Sequence, residues 1–403
     1  MFTWWHDAPP AARRALVAAS VGWMLDAFDV MLYALLIPVI TKELGLEPAT
    51  AGIVQSATLI SSAIGGVAFG MLADRWGRTR ALMLSVLLYS IFTAACGFAT
   101  TAVGLAIFRI FLGIGMGGQW ASGAALVSES WTDRDRGKAL AYMQSSWAIG
   151  YALAAIVNWL VQDVGGYGWR TVFFVGVLPA FYAIWIQGRV EEPAIWRQSK
   201  QDGSSRASLS EAFAGPMLGI TVALTLMNAC TMFAWWGLNT WVPSFLRDTA
   251  GLSNASMNGF VVAMQVGMWF GYVSFGYAAD AIGRRRAYVT YLLIAAVAVL
   301  AYSWSRTPWL LFVLGPVVAF FGTGYFSGFG AVTAEVYPTR VRATAQGLTY
   351  NTGRIASAAA PWLVGSLAQS HGFGAALSVI SGALLLAAGF WVFIPETKGR
   401  AVR

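Results

Sequence analysis

The chain has 403 residues, 58% of them hydrophobic and only 11% charged, with 26 basic and 18 acidic side chains and a formal net charge of +8. Such a composition excludes a chain folded around one water-soluble core. Apolar runs of about membrane-spanning length recur throughout, which excludes a barrel of short alternating strands and predicts an all-α membrane protein.

In chain order, the opening MFTWWHDAPPAARR has no basic region leading into a short apolar core, so no cleaved signal peptide is expected. Twelve spans are then predicted, roughly at 15–41, 50–73, 81–100, 102–127, 139–162, 171–188, 216–241, 257–280, 287–305, 308–334, 343–368 and 373–394. Cys96 and Cys230 fall inside spans and read as small buried hydrophobes, so no disulfide, metal or cofactor is implied. With a cytoplasmic N-terminus, most basic residues face the cytoplasm, while the opposite face keeps Lys42, Arg170, Arg247 and Arg306. That is the positive-inside asymmetry, so the basic balance reflects topology and carries no case for nucleic acid. Both termini are expected in the cytoplasm.

GMLADRWGRTR from Gly70 returns as GYAADAIGRRR from Gly276, an offset of 206, and Glu129 with Arg134 and Arg136 returns at Glu335, Arg340 and Arg342 at the same offset. Two matches at one spacing indicate a duplication of six helices. The expected domains are a bundle at 1–188, a cytoplasmic linker at 189–215 and a second bundle at 216–403. Two parallel repeats with a central substrate site is a plan that secondary transporters use.

G-x-x-x-D-R-x-G-R-x-R between spans two and three, with Arg109, Gly113, Gly115, Gly117 and Gly118 in span four, resembles the major facilitator superfamily along essentially the whole chain. D-A-F-D in span one, G-R in span eleven and Pro395-Glu396-Thr397 near the C-terminus are similar to its organic-acid:proton symporters, the aromatic-acid and sialate/lactate groups. The resemblance implies a cytoplasmic gate of Gly70, Asp74, Arg75, Arg78, Glu129, Arg134 and Arg136, with Asp280, Arg284, Glu335 and Arg342 as its second-repeat counterpart. In that gate Asp74 accepts from a helix N-terminus of the opposite repeat, while Arg78, Arg134 and Arg136 bridge to Glu129. Gly70, Gly113 and Gly117 read as close-packing glycines.

Only Asp26, Asp29, Arg109 and Arg354 lie well inside a span. Four unpaired charges there would cost on the order of 10 kcal/mol, so they must pair or face water. At about 1.5 Å per residue, Asp26 and Arg354 each lie about 18 Å along their helices, near the midplane. Arg109 matches the depth of Asp29. Asp29 is therefore paired with Arg109, and Arg354 is placed beside the central site with Asp26. The resemblance agrees, because the aromatic-acid symporters use both aspartates and an arginine in each of spans four and eleven. Gly22, Asp26, Asp29 and Tyr33 share one helix face, expected to line the cavity.

A substrate carboxylate is best held by a guanidinium, so Arg354 is the expected ligand, with Asn351 and Tyr350 beside it. Gln119, Trp120, Gln144, Trp147, Trp235, Trp236, Asn239, Gln265 and Tyr325 fall in spans that line the cavity of that fold. Many sialate-group relatives read G-G-E-W where this chain has Gly117, Gly118, Gln119 and Trp120, which puts any third carboxylate in span four in doubt. His6 and His371 lie outside the spans, so proton traffic has only Asp26 and Asp29.

The expected function is proton-coupled import of a small organic carboxylate by a monomer in a bacterial inner membrane. Drug antiport is disfavoured, because Met143 to Leu160 lacks proline. A membrane-embedded enzyme is disfavoured because no histidine–acid pair or metal-binding cluster sits at an interface. A small-molecule exporter and a non-transporting nutrient sensor stay open. Lactate, benzoate-type acids, muconate and sialate are equally open as cargo.

Overall fold

A computed structural model describes residues 3–192, 217–337 and 339–398, so the expected linker lies outside it from residue 193 on. All regular structure among the described residues is helical. The elements are α1 (Thr3–His6), α2 (Pro10–Leu44), α3 (Pro48–Trp76), α4 (Arg78–Cys96), α5 (Ala102–Ser130), α6 (Asp133–Trp159), α7 (Trp169–Val175), α8 (Pro179–Arg189), α9 (Met217–Ser244), α10 (Asn254–Ile282), α11 (Arg284–Trp304), α12 (Pro308–Thr323), α13 (Phe326–Val336), α14 (Thr339–Ser357) and α15 (Ala359–Phe390).

Ten helices among the described residues are long and apolar enough to cross a membrane. The difference from twelve predicted spans lies in two places. Predicted span six is broken into α7 and α8 ahead of Pro179, whose missing N–H and fixed ring interrupt the ladder. Predicted spans eleven and twelve are counted together in α15, where Gly372, with a left-handed φ of 79° and a non-helical backbone, divides two helices close to the predicted boundary. Local chemistry sets other ends. The Thr101 hydroxyl accepts from the Gly104 amide at 3.1 Å to open α5, and the Ser253 hydroxyl accepts from the Ser256 amide at 3.1 Å to open α10.

The helices cluster into two compact units, one built on Met1–Leu44 and Ala57–Ser205, the other on Gly45–Ser56 and Arg206–Arg403. In the first, α2 packs on α5 and α6, and α4 packs on α5. In the second, α9 packs on α14 and α15, α10 on α12, and α11 on α15. There, too, Trp241 donates its indole N–H to the Pro361 carbonyl at 2.8 Å, and a Cβ on Gly52 would stand 2.4 Å from that oxygen.

The glycine run of α5 explains how the first unit closes. Residues two apart on a helix point to different neighbours, and these glycines are used accordingly. A Cβ on Gly113 would lie 2.3 Å from the Thr58 carbonyl of α3, and one on Gly117 would lie 1.9 Å from the Ser62 carbonyl. Gly115 turns instead to α4, where a Cβ would lie 2.7 Å from the Tyr89 amide. Gly70 departs from the close-packing expectation, because a Cβ there would meet nothing within 4 Å. Backbone approach is thus needed along the middle of α3 and not near its C-terminal end.

Candidate functional site

Among the described residues the buried charged side chains are Asp26, Asp29, Arg109 and Arg354, at 1%, 0%, 0% and 3% exposure. These are the four that the sequence sets at mid-depth. Three of them belong to the first unit. Asp26 and Asp29 sit on α2, and Arg109 comes from α5.

The geometry around them differs from the expected pair. The Arg109 guanidinium lies over the Tyr33 ring, 4.6 Å from its centroid, and its Nε donates to the Thr58 hydroxyl at 3.2 Å. The Asp29 oxygens are buried and no hydrogen bond to them forms among the described residues. The Thr93 hydroxyl beside Asp29 is committed to the Tyr89 carbonyl at 2.8 Å. No direct Asp29–Arg109 ion pair forms among the described residues, and the guanidinium engages the Tyr33 ring and the Thr58 hydroxyl.

Gly22, Asp26, Asp29 and Tyr33 are all buried. The Tyr89 hydroxyl donates to the Gly22 carbonyl at 3.3 Å, and Gln119 donates from its amide to the Ala19 carbonyl at 3.5 Å. A Cβ on Gly22 would stand 2.4 Å from that Gln119 nitrogen. Gln119 is thus buried between α2 and α5. The Trp147 ring lies 4.6 Å from that of Trp23, tilted by 52°, while Trp120 and Gln144 are half-buried. Sequence reasoning passed over Tyr89 and Thr93. Their spacing of four on one face of an otherwise apolar span was the available signal.

In the second unit Arg354 lies near the end of α14, with its charge acting on Tyr350 one turn earlier. The Ser357 hydroxyl donates to the Arg354 carbonyl at 2.8 Å, and the ladder then breaks at Ala358 ahead of Pro361. Tyr350 and Asn351 are half-buried, the Tyr350 ring 6.0 Å from that of Phe329. Trp235 and Trp236 meet edge-on at 4.7 Å, and the Asn239 amide is held on its own helix by the Trp235 carbonyl at 2.9 Å. Gln265 and Tyr325 are buried, with the Gln265 carbonyl oxygen and the Tyr325 hydroxyl unsatisfied among the described residues.

The gate motif folds twice in the same way. Arg78 reaches Glu129 with Nη2 at 2.9 Å and Nε at 3.2 Å, and Arg284 reaches Glu335 with Nη2 at 2.9 Å and Nε at 3.3 Å. Arg284 also bonds Asp280. Arg75 is exposed and Arg136 half-buried, while the side chains of Asp74, Arg134 and Arg342 lie outside the described residues. Each motif ends in a glycine of positive φ, Gly77 at 113° and Gly283 at 100°, followed at once by a helix with no side-chain cap of its own. A distant glutamate supplies the cap. Glu192 accepts from the Arg78 amide at 2.7 Å and the Thr79 amide at 3.1 Å, and Glu396 accepts from the Arg284 amide at 2.9 Å and the Arg285 amide at 3.1 Å. Lys398 bonds the Ala281 carbonyl at 2.8 Å, capping α10 from the same tail. Sequence reasoning used Pro395-Glu396-Thr397 only as a family signature and missed Glu192. An acidic residue just beyond both predicted span six and predicted span twelve was the signal.

Residues 19–274 and 224–403 match the family model of the Major Facilitator Superfamily. A Cupriavidus pinatubonensis protein named "Probable 4-methylmuconolactone transporter" is 33% identical, the match covering 100% of this chain and 95% of that protein. The sialic acid transporter of Escherichia coli is 29% identical over 96% of each chain. Among solved structures, the xylose transporter of Escherichia coli in a partially occluded inward-open conformation superposes with a TM-score of 0.81 at 16% identity, covering 98% of this chain and 100% of that one. The chain therefore belongs to the major facilitator superfamily and is a membrane transporter, not an enzyme.

Proposed function

We propose that this transporter imports a small organic anion together with protons, by alternating access between bundles at 1–188 and 216–403, as a monomer in a bacterial inner membrane with both termini cytoplasmic. The observation that carries the reading is the burial of four ionisable side chains, Asp26 and Asp29 on the apolar α2, Arg109 on the apolar α5, and Arg354 on the more polar α14. Ionisable groups at that depth persist where transport chemistry needs them. Arg354 binds the substrate carboxylate, because its planar fork can donate two parallel hydrogen bonds. Asp29 carries the proton. A carboxylate sealed beside Arg109 without an ion pair is neutralised either by the arginine's field or by a proton, and alternating access switches between the two. Asp26 balances the site's positive charge when no substrate is bound. The two related proteins, one named for sialic acid and one for 4-methylmuconolactone, support a small organic acid as cargo.

The reading is tested by thermal-shift measurements with lactate, benzoate, cis,cis-muconate and N-acetylneuraminate on purified wild-type protein and Arg354→Ala. At least one acid is expected to stabilise the wild type and not the variant. No stabilisation of the wild type, or equal stabilisation of both proteins, would overturn it.

A further inference from the structure

Arg354 stands in the last turn of the 19-residue α14, three residues before its end at Ser357. The last carbonyls of a helix lack partners within it, so the final turns fray unless something outside holds them. One such holder is built into the second unit. Asn228 on α9 is 1% exposed and directs its amide nitrogen at two consecutive carbonyls of α14, Thr349 at 3.3 Å and Tyr350 at 3.4 Å. In an α-helix those carbonyls also accept from the amides of residues 353 and 354, so Asn228 grips the peptide groups on which Arg354 hangs. The fit is close. A Cβ on Gly353 would lie 2.4 Å from the Asn228 amide nitrogen and 3.1 Å from the Ala229 amide, so only glycine lets α9 and α14 meet there. On the other side the Ser357 hydroxyl holds the Arg354 carbonyl at 2.8 Å.

We propose that Asn228, seated against Gly353, is a positioning residue that sets the register and rotation of α14 and so aims Arg354 at the substrate carboxylate. The inference rests on the carboxylate-binding role given to Arg354 above. A helical side chain leans back over the turn that precedes it, so the direction of Arg354 depends on the turn at Tyr350, which Asn228 holds. Two parallel N–H···O bonds to a carboxylate demand correct direction as well as correct charge. Loosening the helix should therefore weaken binding without removing the positive charge or the path through the protein.

The test measures affinity by thermal shift and homologous exchange kinetics in proteoliposomes, using whichever of lactate, benzoate, cis,cis-muconate and N-acetylneuraminate stabilises the wild type. Asn228→Ala is expected to raise both the dissociation constant and the KM of exchange about tenfold or more, with the maximal exchange rate within twofold of wild type. Gly353→Ala pushes on the same contact from the other helix and is expected to do likewise. Combined with Arg354→Lys, Asn228→Ala should add little further loss, because an ammonium makes no directed fork for the helix to aim; a residue with a merely structural role would give independent, multiplying losses. Wild-type affinity in folded Asn228→Ala, or multiplying losses in the double variant, overturns the proposal. So does failure of both Asn228→Ala and Gly353→Ala to fold, which would make the contact a folding element. Wild-type affinity in Arg354→Ala, by contrast, overturns the function proposed above, and no measurement on Asn228 alone can do that.

Discussion

At the scale of single residues, charge and the absence of a side chain matter most. Arg354→Lys keeps the positive charge and removes the fork. With charge-assisted hydrogen bonds contributing about 1.5–3 kcal/mol, carboxylate affinity should fall about 10- to 150-fold while the protein still folds. Calorimetric titration of the purified variant checks this, and near-wild-type affinity would remove Arg354 from the site. The glycines give a paired expectation. Gly117→Ala drives a methyl into the Ser62 carbonyl, whereas Gly70→Ala adds one in open space. The first should lower the thermal midpoint in detergent by several degrees or prevent folding, and the second should leave it within about one degree. Equal effects would mean that the α3–α5 contact is not the tight one. Asp26, Asp29, Arg109 and Arg354 were legible from sequence because a charge in an apolar run has few explanations. The partners of Arg109 were not. Depth along a helix fixes height but not rotation, so equal depth with Asp29 could not show that the guanidinium lies on Tyr33 and Thr58 instead.

At the scale of elements, the informative features are helix ends. The α11 N-terminus has unsatisfied amides and a positive dipole end, and Glu396 meets both. Its own partial burial pushes the Glu396 carboxyl up, but the amides of Lys398, Arg284, Arg285 and Thr397 outweigh that and hold it below the usual glutamate range. A carboxyl lowered on folding contributes stability above its unfolded value and loses it as pH falls through the folded one. Glu396→Gln should therefore cost about 0.5–2 kcal/mol at neutral pH, as a lost helix cap does. The gap between the two thermal midpoints should stay constant from pH 8 to about 5 and narrow below about 4.3. A gap independent of pH would show that the carboxylate charge is not what caps the helix. The existence of these helices was readable from apolar run length alone. Their interruptions were less so, since Pro179 and Pro361 break their helices while Pro38 and Pro316 sit inside α2 and α12. A proline's effect depends on whether neighbours satisfy the freed carbonyl, which one sequence does not reveal.

At the scale of the whole molecule, duplication accounts for much of what the structure repeats. Arg78 with Glu129 and Glu192, and Arg284 with Glu335 and Glu396, are two copies of one ion-pair and helix-cap arrangement. Glu192→Gln should therefore lower stability by about as much as Glu396→Gln, and a much smaller effect would mean that only one repeat depends on its cap. Among the described residues the buried charges do not follow that symmetry, with three in the first unit and one in the second. This division suits a transporter in which one repeat handles the proton and the other the anion. The most direct test of that account uses proteoliposomes containing wild-type protein or Asp29→Asn and the labelled carboxylate that stabilises the wild type. Uptake is driven by an inward proton gradient in one arm and by trans-side unlabelled substrate, without a gradient, in the other. Asp29→Asn is predicted to lose gradient-driven accumulation and to keep substrate-for-substrate exchange; accumulation against the substrate gradient by Asp29→Asn at low external pH would contradict the account.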